Sequence, residues 1–146
     1  MKRVLMVLIT LIATSFPAWA TLGEYESTVI VDQNYVAGVD RQQMRHGYHL
    51  HEITAEDGSY VREYVAPSGI VFGVSWQGSA VPNLQQLLGS HMQDLQQGQR
   101  RVVPRRSVVV KSGNFVFVSV GHLRNFQGKA YVPSLIPENL GPEVVQ

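Results

Sequence analysis

The sequence predicts an α+β fold: an antiparallel sheet of five to six strands, built from hairpins, with one main amphipathic helix packed on it. Three observations carry this. Residues 46–76 fall into three β-rich runs separated by "EDG" and "PSG", and period-two runs joined by glycine-ended turns are the mark of hairpins. Leu84, Leu87, Leu88, Met92 and Leu95 then recur at helical spacing. A second β-branched and aromatic ribbon, "SVVVKSGNFVFVSV", follows over 107–120.

Taken in order, residues 1–20 read as a signal peptide. Lys2 and Arg3 open it, Val4 to Phe16 is almost wholly apolar, and "PAWA" places Ala18 and Ala20 where a signal peptidase reads small residues. The apolar stretch is shorter than the roughly 20 residues a membrane-spanning helix needs. Cleavage after Ala20 is the expectation, with a periplasmic or secreted destination and no stable membrane insertion afterwards. Residues 21–137 form one domain on this reading, and 138–146 a loose, flexible tail. Thr28 to Val31 favours a strand, and Val36 to Met44 could be loop or a helical turn.

The turn at Glu56-Asp57-Gly58 sets the register of the first hairpin. A two-residue turn would place Glu52 opposite Glu63, a like-charge pair; a three-residue loop closed by Gly58 places Glu52 opposite Arg62 and is preferred. Side chains alternate along a strand. One face then carries Tyr48, Leu50, Glu52, Tyr60, Arg62 and Tyr64, continued by Ile70, Phe72, Val74 and Trp76, with Tyr60 opposite Trp76 and Tyr64 opposite Phe72. This aromatic face is the expected core. The reverse carries His49, His51, Ile53, Val61, Glu63 and Val65, then Val71, Gly73 and Ser75.

The helix is expected from Asn83, paired with Gln86 in a cap, to a stop at Gly98. Its apolar stripe is that of a helix covering a sheet. The hairpin of 107–120 turns at Lys111-Ser112-Gly113, and its second strand is apolar on both faces, so it is expected to be central or covered. A short strand at Ala130 to Val132 is stopped by Pro133 and Pro137.

Composition removes several function classes. The chain has a formal net charge of +1, which becomes −1 once Lys2 and Arg3 leave with the signal, so nothing global points to nucleic acid. It has no cysteine, hence neither disulfides nor thiol chemistry. A domain of this length buries about two-thirds of its unfolded surface, enough for one core without cross-links.

Three blocks carry a family resemblance: "HEI…VREYVAPSGIVFGVSWQG" over His51 to Gly78, "VPNLQQLLGSH" over Val81 to His91, and "GHLRNFQGKAYVPSLIP" over Gly121 to Pro137. In this order they resemble an uncharacterised family of exported proteobacterial proteins, domain of unknown function 2844. "LGEYESTVIVDQ" is similar to that family's opening segment. The resemblance covers nearly all of the chain after the signal and implies no activity, cofactor or catalytic residue.

A few side chains are candidates for chemistry. His49 and His51 share a strand face with Glu63 opposite, a set that could bind a divalent metal, with His46 or His122 adding a ligand. The plain alternative is a half-buried histidine bonded to Glu63. Glu52 with Arg62, among tyrosines, could orient an anionic or sugar-like ligand, or form a rim ion pair with Arg62 stacked on Tyr60 and Tyr64. His122, Arg124, Phe126, Lys129 and Tyr131 concentrate mixed aromatic and basic character in an expected loop and short strand. Four arginines between Arg100 and Arg106 could grip phosphate or sulfate, or lie solvated. "GVSWQG" lacks the spacing of a serine-hydrolase elbow, and Glu52 and Glu63 fall on opposite faces, which argues against a glycosidase carboxylate pair. No catalytic residue or cofactor emerges. The expectation is a non-enzymatic exported module binding another envelope protein or a surface polymer, with Arg62, Glu52, His122, Arg124 and Tyr131 as ligand contacts; the alternative is a small metal or ligand site at His49, His51 and Glu63.

Overall fold

A computed structural model describes residues 22–29, 38–99 and 107–146. The expected signal peptide, Ile30 and Val31 of the expected first strand, and the arginines of 100–106 lie outside the described residues.

The architecture is α+β, as expected, with seven antiparallel strands rather than five or six. They are β1 (Val39–Arg45), β2 (Tyr48–Thr54), β3 (Tyr60–Val65), β4 (Val71–Gly78), β5 (Ser107–Ser112), β6 (Phe115–His122) and β7 (Asn125–Tyr131). The sheet order is β1-β2-β3-β4-β7-β6-β5. Two meanders thus meet where β4 pairs with β7, and the helical segment bridges them. That segment is α1 (Leu84–Leu88), a 3-10 turn (Gly89–His91) and α2 (Met92–Gln99). Asn83 caps it through Oδ1, which accepts from Gln86 N–H at 3.3 Å.

The two extra lengths of strand are β1 and most of β7. β1, "VDRQQMR", is an edge strand exposed along most of its length. It carries no apolar alternation because little of it is buried, and its charges suit an edge that must not pair with strangers. β7, "NFQGKAY", is broken to the eye by Gly128. Here the missing Cβ is needed: one built at Gly128 would meet Trp76 Cε2 at 2.7 Å and the Val118 carbonyl oxygen at 2.8 Å.

β2 and β3 pair in the expected register, His51 opposite Glu63 and Glu52 opposite Arg62, around a three-residue loop closed by Gly58 at φ 82°. The next hairpin also has its three-residue loop, with Gly69 at φ 81°. Beyond that loop the expected pairs fail. The register shifts at Tyr64/Val65, so that Tyr60 lies opposite Gln77 and Tyr64 opposite Gly73. Phe72 is the extra residue of a bulge. Its ring stays with Tyr48 and Tyr64, with centroids 6.1 Å from each, while Val74 and Trp76 turn to the opposite face, as their pairing with Glu63 and Val61 requires. No Cβ contact constrains Gly69, so Gly69→Ala isolates the backbone cost of φ > 0. About 1–2 kcal/mol of lost stability is expected, read as a lower urea midpoint at unchanged m-value.

The consequence is a different core from the one the aromatic residues imply. The main core lies on the face of Ile53, Val61, Val65, Val71, Val74 and Trp76, under Leu87, Leu88 and Leu95 of the helices, with Phe115, Phe117 and Ala130 from β6 and β7. The aromatic face holds a smaller cluster of Leu50, Tyr64, Ala66, Phe72 and Val145. Gly98 is a correction of the same kind. It sits inside α2 rather than past its end, and a side chain there would collide with Val110 of β5.

Two end segments complete the packing. Glu26–Thr28 is a 3-10 turn rather than the start of a strand; Leu22 and Val29 are buried, and Glu26 N–H donates to the Gly69 carbonyl at 2.8 Å. The segment 138–146, expected loose, packs on the aromatic face. Val145 is fully buried, at a place where a Cβ on Gly73 would meet it at 2.6 Å. Among the described residues no helix is long and apolar enough to cross a membrane.

Candidate functional site

The helices cover one face of the sheet, and the C-terminal segment covers only part of the other. The uncovered part is a shallow groove of about 320 Å³, lined by Tyr60, Gln77, Val118, Val120, Gln127 and Lys129, with Gln146 at one end. Register explains why these residues meet. One row across the strands runs Glu52, Arg62, Ser75, Lys129 and Val118; the next runs Tyr60, Gln77, Gln127 and Val120. Neighbouring strands lie about 4.8 Å apart, so the rows form a continuous polar and aromatic strip.

The side chains of the strip hold one another. Arg62 Nε donates to Glu52 Oε2 at 2.6 Å, and its guanidinium lies 4.5 Å from the Tyr60 ring centroid. The Tyr60 hydroxyl donates to Gln77 Oε1 at 2.8 Å. Lys129 Nζ donates to the Val145 carbonyl at 2.7 Å. The Tyr64 and Ser75 hydroxyls both donate to the Gln146 carbonyl, at 2.7 and 2.6 Å. Ser75 is therefore a buried strand residue in a structural bond, and its hydroxyl is hydrogen-bonded to no histidine among the described residues that could activate it.

Of the expected ligand contacts, Glu52, Arg62 and Tyr131 lie on this face. Tyr131 packs against its small apolar cluster. By alternation from Lys129 and Gln127, His122 and its partner Asn125 continue the same face towards the β6–β7 turn. Arg124 is at the tip of that turn. It is the sole non-glycine among the described residues with positive φ, at 60°, a conformation uncommon outside glycine and asparagine. Leu123 beside it is 95% exposed. Gln77 and Gln127 were missed as strip members, and Lys129 was named only as part of the aromatic and basic segment over 122–131. The alternation of 127, 129 and 131 carries that signal, but it is legible only once the segment is known to be a strand.

His49, His51 and Glu63 fall on the helix-covered face. Glu63 is buried there, opposite His51, and so stays apart from Glu52. His51 is almost wholly enclosed. Its Nε2 is 2.9 Å from Glu26 Oε1 and its Nδ1 is 3.1 Å from Asp40 Oδ2; His49 Nδ1 approaches the same Glu26 oxygen at 3.2 Å. The hydrogen bond from His51 is the chief cause that holds the Glu26 carboxyl below its ordinary value, against desolvation, with His49 helping. Both ring nitrogens of His51 are thus engaged by carboxylates, and no group of three or more side chains suited to a metal converges among the described residues. Asp40 and Glu26 were not foreseen as the partners of His51, because neither the β1 strand nor the 3-10 turn that carries them has a clear sequence signal.

A family model described as a protein of unknown function (DUF2844) matches residues 18–145. No curated protein and no solved structure matches the chain.

Proposed function

The chain belongs to the DUF2844 family of proteins of unknown function, and we propose that it is an exported, non-enzymatic module that binds a surface polymer along the open strip of its sheet. Export rests on the charge, apolar run and "PAWA" end of residues 1–20. Binding rests on one observation: a groove of about 320 Å³ lined by Tyr60, Gln77, Gln127 and Lys129 on the sheet face the helices leave bare. Amide side chains and a tyrosine across several strands offer paired donors and acceptors beside an apolar ring surface, which suits the hydroxyls and C–H faces of an extended sugar chain. A rigid sheet also holds them at fixed spacing.

The experiment is electrophoresis of the processed protein through gels containing soluble polysaccharides, neutral in one set and acidic in another. Wild type is expected to be retarded. Tyr60→Ala and Gln127→Ala, both on the surface strip, are expected to weaken retardation by about tenfold in apparent affinity, on the scale of a lost contact of 1–2 kcal/mol. Equal mobility of wild type and both variants in every gel would remove the proposal. Amino-terminal sequencing of the protein recovered from the cell envelope is expected to begin at Thr21.

A further inference from the structure

The end of the C-terminal segment is seated on the strip itself. Two consecutive carbonyl oxygens, those of Val145 and Gln146, make the contact. The Lys129 ammonium donates to the first at 2.7 Å, and the Tyr64 and Ser75 hydroxyls donate to the second at 2.7 and 2.6 Å. The Tyr64 hydroxyl also accepts from the Gln146 N–H at 3.0 Å. Ser75 and Lys129 are paired across β4 and β7 in the first row of the strip. The segment therefore takes the middle of that row and leaves the second row, Tyr60, Gln77, Gln127 and Val120, open.

Three donors aimed at oxygens of two adjacent residues form a site for acceptor groups. Among the described residues Lys129 is the one cation that lines the groove, and Arg62 is already paired with Glu52. The partner of Lys129 here is a neutral carbonyl. Hydrogen bonds between ionised groups are roughly twice as strong as neutral ones, so a carboxylate would fill the same place better. It is also acceptor-only, as the carbonyl oxygens are.

The segment is attached in a way that lets it leave. Its backbone–backbone hydrogen bonds among the described residues run from Leu140 to Pro137, Val144 to Gly141 and Val145 to Pro142, and none reaches the sheet. Val145 is its one fully buried side chain, and it joins the small cluster of Tyr64 and Phe72 rather than the main core. Gly73 supplies the room: a Cβ there would meet Val145 Cγ2 at 2.6 Å.

We propose that residues 144–146 are a displaceable strap over a carboxylate-binding site, and that an acidic polysaccharide running along the strip lifts the strap and sets a uronate carboxylate against Lys129, Ser75 and Tyr64. This rests on the polymer reading of the strip and narrows the polymer to a polyanion.

The test is electrophoresis of the processed protein through gels containing polygalacturonate or, in parallel, dextran. Gly73→Ala expels Val145 without changing a side chain that lines the groove, and Gly73 is not at positive φ, so alanine suits its backbone. A site covered for about nine-tenths of the time or more has its affinity lowered at least about tenfold. Gly73→Ala is therefore expected to bind polygalacturonate at least about tenfold more tightly than wild type, with no such gain in dextran, which has no carboxylate. Lys129→Met in the Gly73→Ala background is expected to cancel the gain. Coupling is reciprocal, so polygalacturonate is expected to quicken hydrogen exchange at the Gln146 N–H of wild type. Should Gly73→Ala fail to fold, a variant lacking residues 144–146 reads the same gain. Equal affinity of wild type and the strap variant for polygalacturonate overturns the strap, as does an equal gain in dextran or a gain that survives Lys129→Met. If wild type is retarded by dextran while the strap variant gains nothing in polygalacturonate, the strap fails and the polymer reading stands. If neither is retarded in either gel, both fall.

Discussion

Replacing His51 by alanine is expected to remove about 1–3 kcal/mol of stability, the usual cost of taking a hydrogen-bond partner away from a buried polar group. The His51 side chain is 5% exposed and that of Asp40 10%. Alanine leaves the enclosed Asp40 carboxylate with Gln42 Nε2 as its remaining side-chain donor among the described residues, at 3.3 Å. It also leaves His49 as the one β2 side chain among the described residues still bonded to Glu26. Urea unfolding at neutral pH is the measurement, and a midpoint within experimental error of wild type would contradict the structure. A His51→Leu, Asp40→Leu double variant is expected to recover much of the loss, because replacing a whole buried pair by apolar groups is often close to neutral. The same network has a signature in acid. The Glu26 carboxyl sits below its ordinary 4.5 in the folded chain. The stability it contributes is complete above 4.5 and disappears as pH falls through the lower folded value. Glu26→Gln is therefore expected to flatten the acid side of the stability curve below pH 4.5 and to lower stability above it.

Gly128→Ala is expected to cost about 3 kcal/mol, the upper end for overpacking a core. The methyl would be pressed between the Trp76 ring and the Val118 carbonyl oxygen. The ring cannot retreat, since Phe117 packs against it, and the oxygen belongs to the β6 backbone paired with β7. The methyl would therefore force the β4–β7–β6 junction apart, where the two meanders join. Thermal unfolding with Trp76 fluorescence as the probe reads both the loss and the disturbed ring. Adding Trp76→Leu is expected to recover part of the loss and no more, since the backbone oxygen remains.

Much of the fold was legible because local rules decide it. The β2–β3 register followed from turn length and from keeping Glu52 away from Glu63, both of which involve residues close in sequence. The helix followed from leucines at helical spacing and an asparagine cap. The candidate site was less legible. Arg62 and Glu52 could be paired from the turn, but Gln77 joins them only through the shifted β3–β4 register, and Gln127 and Lys129 only through β4–β7 pairing, which spans some 50 residues of chain. His51 was visible as a candidate, whereas Glu26 and Asp40 reach it from segments that have no pattern of their own.

By itself, then, the sequence determined the family, the α+β class, the glycine-closed turns and which residues of β2 and β3 share a face, because alternation and turn chemistry act over a few residues. Only the tertiary structure decided which face became the core. The bulge at Phe72 turned Val74 and Trp76 towards the helices, and Val145 returned to cover Phe72 on the other side. A bulge is one unpaired residue, and its stability comes from distant packing on both faces, so no neighbouring residue announces it.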